Sequence, residues 1–251
     1  LFVTASRSNS VLTEWSINQV DPLEQVHIHH KTCGINAVKL CNDGENNKVI
    51  ISFIDGDVGV FAVPQEQLCF KTEPGHSETV YSCKLRPCNQ NHLATASHDG
   101  SVKLWDLSSK KCLMQLKTGE FVDGTGILYS LSWCPGNAEE NRIVTGCSTG
   151  ELKYWDVSTG QQTMKIRQHS KPIYCVAWNP ENVDMIASAS SDKTCILSAP
   201  DGRVIQKYLH PDAVYGCDWN PFNSNLLATG CHDGVVRLFN AGDTSVKPVA
   251  E

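Results

Sequence analysis

Three residue types able to do acid–base work recur together along this chain. His76, His169 and His210 each precede an aspartate by 23 positions (Asp99, Asp192 and Asp233), and four residues before each aspartate stands a hydroxyl, Thr95, Ser188 or Thr229. A hydroxyl, an imidazole and a carboxylate are the parts of a nucleophilic triad, in which the imidazole takes the hydroxyl proton and the carboxylate fixes its tautomer. The recurrence argues against that use, because a nucleophile is not needed once per repeat. Neither a nucleophile elbow, a metal-binding histidine pair nor a phosphate loop is read from the sequence. No catalytic residue, metal or cofactor is therefore expected.

The elements that must position these residues are short strands. From Gly75 to Leu107 the chain holds a Gly-His pair, an apolar run (Val80 to Leu85), a polar turn around Pro87 and a second run (His92 to Ser97). An Asp-Gly turn (Asp99, Gly100) and a third run closing on Trp105-Asp106 complete the unit. Imperfect copies of it fill the rest of the chain. Expected strands are Phe2–Ser6, Val11–Ile17 and Gln25–His29 in the first copy, which lacks its innermost strand. Ile35–Cys41, Val49–Phe53, Val58–Val63 and Leu68–Lys71 follow in the second, with Asn42 to Lys48 expected as a solvated, mobile loop. The later copies give Leu128–Trp133, Arg142–Cys147, Leu152–Val157 and Thr163–Ile166; then Ile173–Trp178, Met185–Ala189, Cys195–Ser198 and Val204–Tyr208; then Val214–Trp219, Leu226–Gly230 and Val235–Phe239. A period a little above 40 residues with several short strands per unit is the pattern of a β-propeller blade. The expectation is an all-β protein of four-stranded antiparallel blades, six repeats in one domain spanning 1–251, divided near 1–29, 30–72, 73–117, 118–167, 168–209 and 210–251.

Gly75-His76 with Trp105-Asp106, the second Trp155-Asp156, and the degenerate Phe239-Asn240, Phe61-Ala62 and Trp15-Ser16 resemble the WD-repeat (WD40) family over nearly the whole chain. The resemblance implies a buried hydrogen-bond chain running from a tryptophan N–H to a hydroxyl, from the hydroxyl to the histidine, and from the histidine to the turn aspartate. Carried onto this sequence, its members are Trp105, Thr95, His76 and Asp99; Ser188, His169 and Asp192; Thr229, His210 and Asp233. Only Thr145 and Trp155 remain in the fourth repeat, where Gly126 and Thr149 stand in place of the histidine and aspartate. Ser198 and Phe239 occupy the tryptophan place in the last two repeats. The chain opens inside a strand-like run, so the expectation is an excerpt of a seven-bladed or tandem propeller that closes with residues outside it.

Composition narrows the function class. With 41% hydrophobic and 8% aromatic residues in 251, the chain is ample for a folded core. A net charge of −6 argues against a nucleic-acid partner, which a basic stripe would serve. No apolar run approaches the length of a membrane span, so no membrane insertion is expected. Twelve cysteines contain no Cys-x-x-Cys pair and fall in strands (Cys83, Cys147, Cys175, Cys195, Cys217, Cys231), which reads as small buried thiols in a reducing, intracellular and cytoplasmic setting.

Two columns are candidates for contact with partners. Tyr81, Tyr129, Tyr174 and Tyr215 are each second in an expected innermost strand, their alternation favouring packing between blades while the hydroxyl reaches the channel. His98 and His232 stand one residue before the turn aspartate and are expected on the upper rim. Phe121 and Asp123 lie in the long segment Thr118 to Gly126, read either as a tolerated insertion or as a recognition loop freed from its histidine anchor. The function expected is a non-catalytic scaffold whose rim docks other proteins or peptides within a larger assembly. The alternative is a reader of a peptide, or of a modified lysine, held by aromatic rings.

Overall fold

The computed structural model describes residues 2–5, 11–15, 24–27, 34–42, 47–63, 67–72, 75–117, 126–136 and 141–242. Phe121 and Asp123, with the expected tail strand Ser245 to Val249, lie outside the described residues. The described residues contain strands and turns and no helix. By contact density the chain falls into two compact units, Leu1–Gln115 and Leu116–Glu251.

In the first unit, β1 (Phe2–Ala5), β2 (Val11–Trp15) and β3 (Glu24–His27) form a three-stranded sheet in chain order. β4 (Ile35–Asn42), β5 (Asn47–Phe53), β6 (Val58–Val63) and β7 (Gln67–Lys71) form a four-stranded one. A second four-stranded sheet follows from β8 (Val80–Arg86), β9 (Asn89–Ser97), β10 (Ser101–Asp106) and β11 (Lys111–Lys117), the last of which ends in the second unit. The pairings in these sheets run antiparallel between strands that are neighbours in sequence.

The second unit repeats the plan. β12 (Leu128–Trp133), β13 (Arg142–Cys147), β14 (Glu151–Asp156) and β15 (Gln161–Arg167) make one sheet. β16 (Ile173–Trp178), β17 (Ile186–Ser190), β18 (Thr194–Ser198) and β19 (Val204–Leu209) make the next. β20 (Val214–Asn220), β21 (Asn223–Cys231) and β22 (Val236–Asn240) close the described chain with three strands.

Several strand ends move from their expected places. Asn42 pairs with Asn47, so β4 and β5 take in Asn42, Asn47 and Lys48 from the ends of the expected mobile loop. β9 likewise begins at Asn89, three residues before the apolar run, directly after the Pro87-Cys88 turn.

The cores lie between neighbouring sheets. Ile50, Val58 and Val60 pack with Val80, Cys83, Leu93 and Trp105. In the second unit Val144, Leu152 and Tyr154 pack with Ile173, Val176, Trp178 and Ile186, and Ala187, Leu197 and Tyr208 with Val214, Trp219, Leu227 and Phe239. Burial of such side chains contributes about 1.5–3 kcal/mol each. Among the described residues β16 has a strand on one side alone, and the N–H groups of its other edge need acceptors. Val176 N donates to Ser130 Oγ at 3.1 Å and Trp178 N to Ser132 Oγ at 3.0 Å, so hydroxyls of β12 stitch the neighbouring sheet in place. Cys83, Cys147, Cys195, Cys217 and Cys231 are buried free thiols and Cys175 is a half-buried one.

Candidate functional site

The third repeat places its four chain members in sequence. Trp105 Nε1 donates to Thr95 Oγ1 at 3.0 Å, Thr95 Oγ1 lies 2.7 Å from His76 Nε2, and His76 Nδ1 lies 2.9 Å from Asp99 Oδ2. Since the carboxylate accepts only, His76 donates from Nδ1 and accepts at Nε2, where Thr95 gives its proton. Burial pushes the His76 pKa down despite the hydrogen bond and charge of Asp99, so the ring is neutral at pH 7. Burial would raise Asp99, but the hydrogen bonds it accepts from His76 and Ser101 hold its carboxyl well below the usual range.

Neighbouring elements hold the same residues. His76 N donates to Gly56 O at 2.9 Å, and Gly56 has φ +93°; a Cβ there would lie 2.1 Å from His76 O. Only glycine fits a left-handed turn pressed against the next repeat's backbone. Ser101 Oγ donates to Asp99 Oδ1 at 2.7 Å, and Ser97 Oγ donates to Glu78 O at 3.0 Å, tying the turn to the loop before β8.

In the fifth repeat His169 Nδ1 lies 3.0 Å from Asp192 Oδ2 and His169 Nε2 lies 2.8 Å from Ser188 Oγ. Thr194 Oγ1 donates to Asp192 Oδ1 at 2.6 Å, as Ser101 does to Asp99. Burial again lowers the His169 pKa. The tryptophan place contributes no indole to this set: Ser198, paired with Ile186 where Trp105 pairs with Leu93, has a buried Oγ with no hydrogen-bond partner. The turn glycine is also replaced, by Lys193 at φ +72°, whose Nζ donates to Pro211 O at 2.9 Å and lies 3.8 Å from Asp212.

The sixth repeat breaks the expected chain at its carboxylate. His210 Nε2 lies 2.8 Å from Thr229 Oγ1, but His210 Nδ1 faces Tyr208 O at 3.3 Å and not Asp233. Asp233 is held instead by the Arg237 guanidinium, Nη2 to Oδ2 at 2.7 Å and Nη1 to Oδ1 at 3.2 Å. That hydrogen bond keeps its carboxyl well below the usual range. The physical reason is a two-pronged, permanently charged donor four residues on, with Val235 where Ser101 and Thr194 supply hydroxyls in the other repeats. Phe239 stacks on Tyr208 at 4.1 Å and meets His210 edge-on at 5.6 Å.

The fourth repeat keeps the upper half of the chain. Trp155 Nε1 donates to Thr145 Oγ1 at 3.0 Å and Thr145 Oγ1 donates to Lys153 O at 3.3 Å. Gly126, at φ +89°, donates its N–H to Ser148 Oγ at 3.2 Å, and Thr149 donates to Glu151 Oε2 at 2.9 Å. The string Gly146-Cys147-Ser148-Thr149-Gly150 does have the spacing of a nucleophile elbow, which the motif reading does not single out. It occupies the turn between antiparallel β13 and β14, whereas an elbow needs a strand running into a helix.

Above these chains lies the tyrosine column. Tyr129 meets Tyr174 edge-on at 5.4 Å, Tyr174 stacks on Tyr215 at 4.9 Å and 27°, and Tyr215 meets His232 at 5.7 Å. Each ring comes from the same place in successive sheets. Tyr215 is 51% exposed; His232, also exposed, has Nδ1 3.1 Å from Asp212 Oδ2. In the first unit Tyr81 meets His98 edge-on at 6.1 Å, and His98 lies 3.7 Å from Glu78. The two columns join for a backbone reason. The residue before each turn aspartate donates its N–H to the loop just ahead of the innermost strand: His98 N to Thr79 O and His232 N to Ala213 O, both at 2.8 Å.

Comparison with known proteins bears on this repeated geometry. A family model described as "WD domain, G-beta repeat" matches residues 67–106, 160–197 and 202–240. Those three stretches match WD40 repeats. It is 37% identical to Protein Notchless of Drosophila melanogaster over 158 residues, 61% of this chain and 30% of that protein. It is 38% identical over 61 residues to Ribosome biogenesis protein YTM1 of Scheffersomyces stipitis, 24% of this chain and 13% of that one. It is also 30% identical over 90 residues to the Peroxisomal targeting signal 2 receptor of Dictyostelium discoideum, 36% and 25% of the two chains. The matched stretches thus span less than a third of each relative. The sheets of the WD40 repeats are propeller blades, all-β and antiparallel. Among the described residues no group of three or more His, Cys, Asp and Glu side chains could hold a metal ion, and no helix is long and apolar enough to cross a membrane.

Proposed function

We propose that this chain is a non-enzymatic protein–protein interaction scaffold whose partner-binding surface is centred on the rim residues Tyr129, Tyr174, Tyr215 and His232. The observation that carries the reading is the unbroken row of rings, one per repeat, ending in a half-exposed tyrosine beside an exposed histidine. Tyrosines held by their neighbours lose little entropy on binding, which suits them to anchor a partner. Tyr81 and His98 form a smaller station of the same kind. The histidine–hydroxyl–aspartate sets serve the fold in this reading: their hydroxyls and imidazoles are buried and already spend their hydrogen bonds on one another.

The rival reading, a pocket for a modified lysine, needs rings standing around a cation. Tyr174 and Tyr215 lie nearly parallel with centroids 4.9 Å apart and leave no slot for one, which supports the scaffold over the reader. The partner class is other proteins within a larger assembly, in the cytoplasm. Two of the relatives carry names from ribosome biogenesis and peroxisomal targeting, and those names describe them alone. Six repeats in a seven-bladed or tandem ring remain part of the proposal, as does a finer resemblance to WD repeat-containing protein seventeen, on phrases such as HSETVYSCKLRP and LATASHDGSVKLWD.

The test is affinity capture on the immobilised chain with Tyr215→Ala and His232→Ala combined. Loss of the partners captured by the parent, at an unchanged thermal midpoint, is the expected result. Undiminished capture would overturn the rim assignment. Saturable binding of a trimethyl-lysine peptide, abolished by Tyr174→Ala, would favour the reader.

A further inference from the structure

The outer strands make up a different surface from the rim, and β19 stands out among them. It is the last strand of its sheet, in the order β16-β17-β18-β19, so one row of its backbone N–H and C=O groups has no strand beside it among the described residues. Its sequence, Val-Ile-Gln-Lys-Tyr-Leu, leaves Val204 52%, Ile205 37% and Leu209 77% exposed. An edge with large exposed apolar side chains is a template for another strand unless charge or proline blocks it.

Charge on this edge is of one sign. Between Gly202 and Pro211 the chain has Arg203 and Lys207 and no carboxylate, although the whole chain carries a net −6. Outer strand β15 has the same character, with Lys165, Arg167 and the exposed Met164. It lies against the turn that starts β19: a Cβ on Gly202 would fall 2.7 Å from the Ile166 side chain. Alternation places Lys207 and Leu209 on one face of β19, and Ile205, exposed like them, is the extra residue at the register shift between Val204 and Gln206.

We propose that the free edge of β19 docks an extended segment of another protein in which a carboxylate is flanked, two residues away on each side, by apolar side chains. The segment adds to the sheet as a further strand, its apolar residues opposite Ile205 and Leu209 and its carboxylate opposite Lys207. A second copy of this chain fits poorly, since β19 against β19 brings Arg203 and Lys207 toward their own kind. This surface is separate from the tyrosine rim and stands without it.

A fluorescein-labelled peptide, Thr-Val-Thr-Glu-Thr-Val-Thr, and its counterpart with lysine in place of glutamate provide the test against the full chain. The glutamate peptide should raise fluorescence anisotropy and slow amide exchange across Val204–Leu209. Lys207→Glu should weaken it by about tenfold or more and shift preference to the lysine peptide, because like charges across an interface repel. Leu209→Thr should weaken both, and the Tyr215→Ala, His232→Ala double variant should bind as the parent does. Thermal midpoints matching the parent's would show that both β19 variants fold. Equal binding of the two peptides, or unchanged exchange in β19, overturns the proposal. So would capture of the chain by phosphatidylserine vesicles in a Lys207-dependent way without peptide binding, which would assign the patch to a membrane surface. Concentration-dependent dimers lost on Lys207→Glu would assign it to self-association and overturn the proposal as well.

Discussion

The third and fourth repeats contain the same tryptophan–threonine pair and spend it differently. Trp105 and Trp155 each donate to a buried threonine at 3.0 Å. Each threonine oxygen also lies 3.3 Å from the carbonyl across its hairpin, Lys103 in the third repeat and Lys153 in the fourth, but in the third repeat it reaches His76 as well, and His76 in turn donates to Asp99. The tryptophan end of the chain is therefore independent of the histidine end. What the histidine adds is a tie from the core to the loop ahead of the innermost strand, and the fourth repeat does without it.

Substitutions at the shared hydroxyl should separate the two most widely. Thr95→Val strands both the Trp105 N–H and the His76 Nε2, and should cost about 2–4 kcal/mol in chemical unfolding. Thr145→Val strands one donor and should cost about 1–2 kcal/mol. Equal losses would mean that the His76 link adds nothing. At the next link, Asp99→Ala leaves His76 buried without its carboxylate and should cost about 1–3 kcal/mol, whereas Thr149→Ala should cost less than about 1 kcal/mol.

The histidines give the comparison a pH axis. Burial lowers the pKa of His76, His169 and His210 from an ordinary value of 6.5, so the unfolded chain binds protons that the folded chain resists. Stability should hold above pH 6.5 and fall as pH drops below it, by at most about 1.4 kcal/mol per pH unit for each histidine, until the folded-state values are reached. Thermal melts of the parent and of His76→Gln across this window should show a shallower decline in the variant. The smallest effect expected is at Asp233. It pairs with Arg237 and not with His210, so Asp233→Ala should lower the thermal midpoint less than Asp99→Ala.

Much of this architecture is legible in the sequence, because alternation and turn residues mark strands whatever their neighbours do. The hydroxyl four residues before the turn aspartate picks out Thr95 and Ser188, which the structure sets against His76 and His169. Spacing could not say that Asp233 would be taken by Arg237: a position fixes where a carboxylate sits, while the strongest nearby donor decides what it binds. The hydroxyls of Ser101 and Thr194, two residues after their aspartates, are a signal that the spacing of histidine and aspartate alone does not reach. Lys193 is a further such sign, a lysine in a column of glycines. Its left-handed backbone costs about 1–2 kcal/mol and is held by contacts to Pro211 and Asp212 beside the His232 station. That the tyrosines form one row, each against the next, depends on how neighbouring innermost strands approach, which no single repeat encodes.

The serine hydroxyls of β12 that receive the N–H groups of β16 have a consequence for how this part of the chain unfolds. Within each sheet every pairing is between consecutive strands, so a repeat could form and melt on its own. Hydrogen bonds from one innermost strand to the next add a nearest-neighbour coupling, as in a one-dimensional array whose cells favour matching states. Losing one cell exposes the backbone donors of its neighbour, so opening should spread to the adjoining repeat and the pair should melt as one cooperative unit.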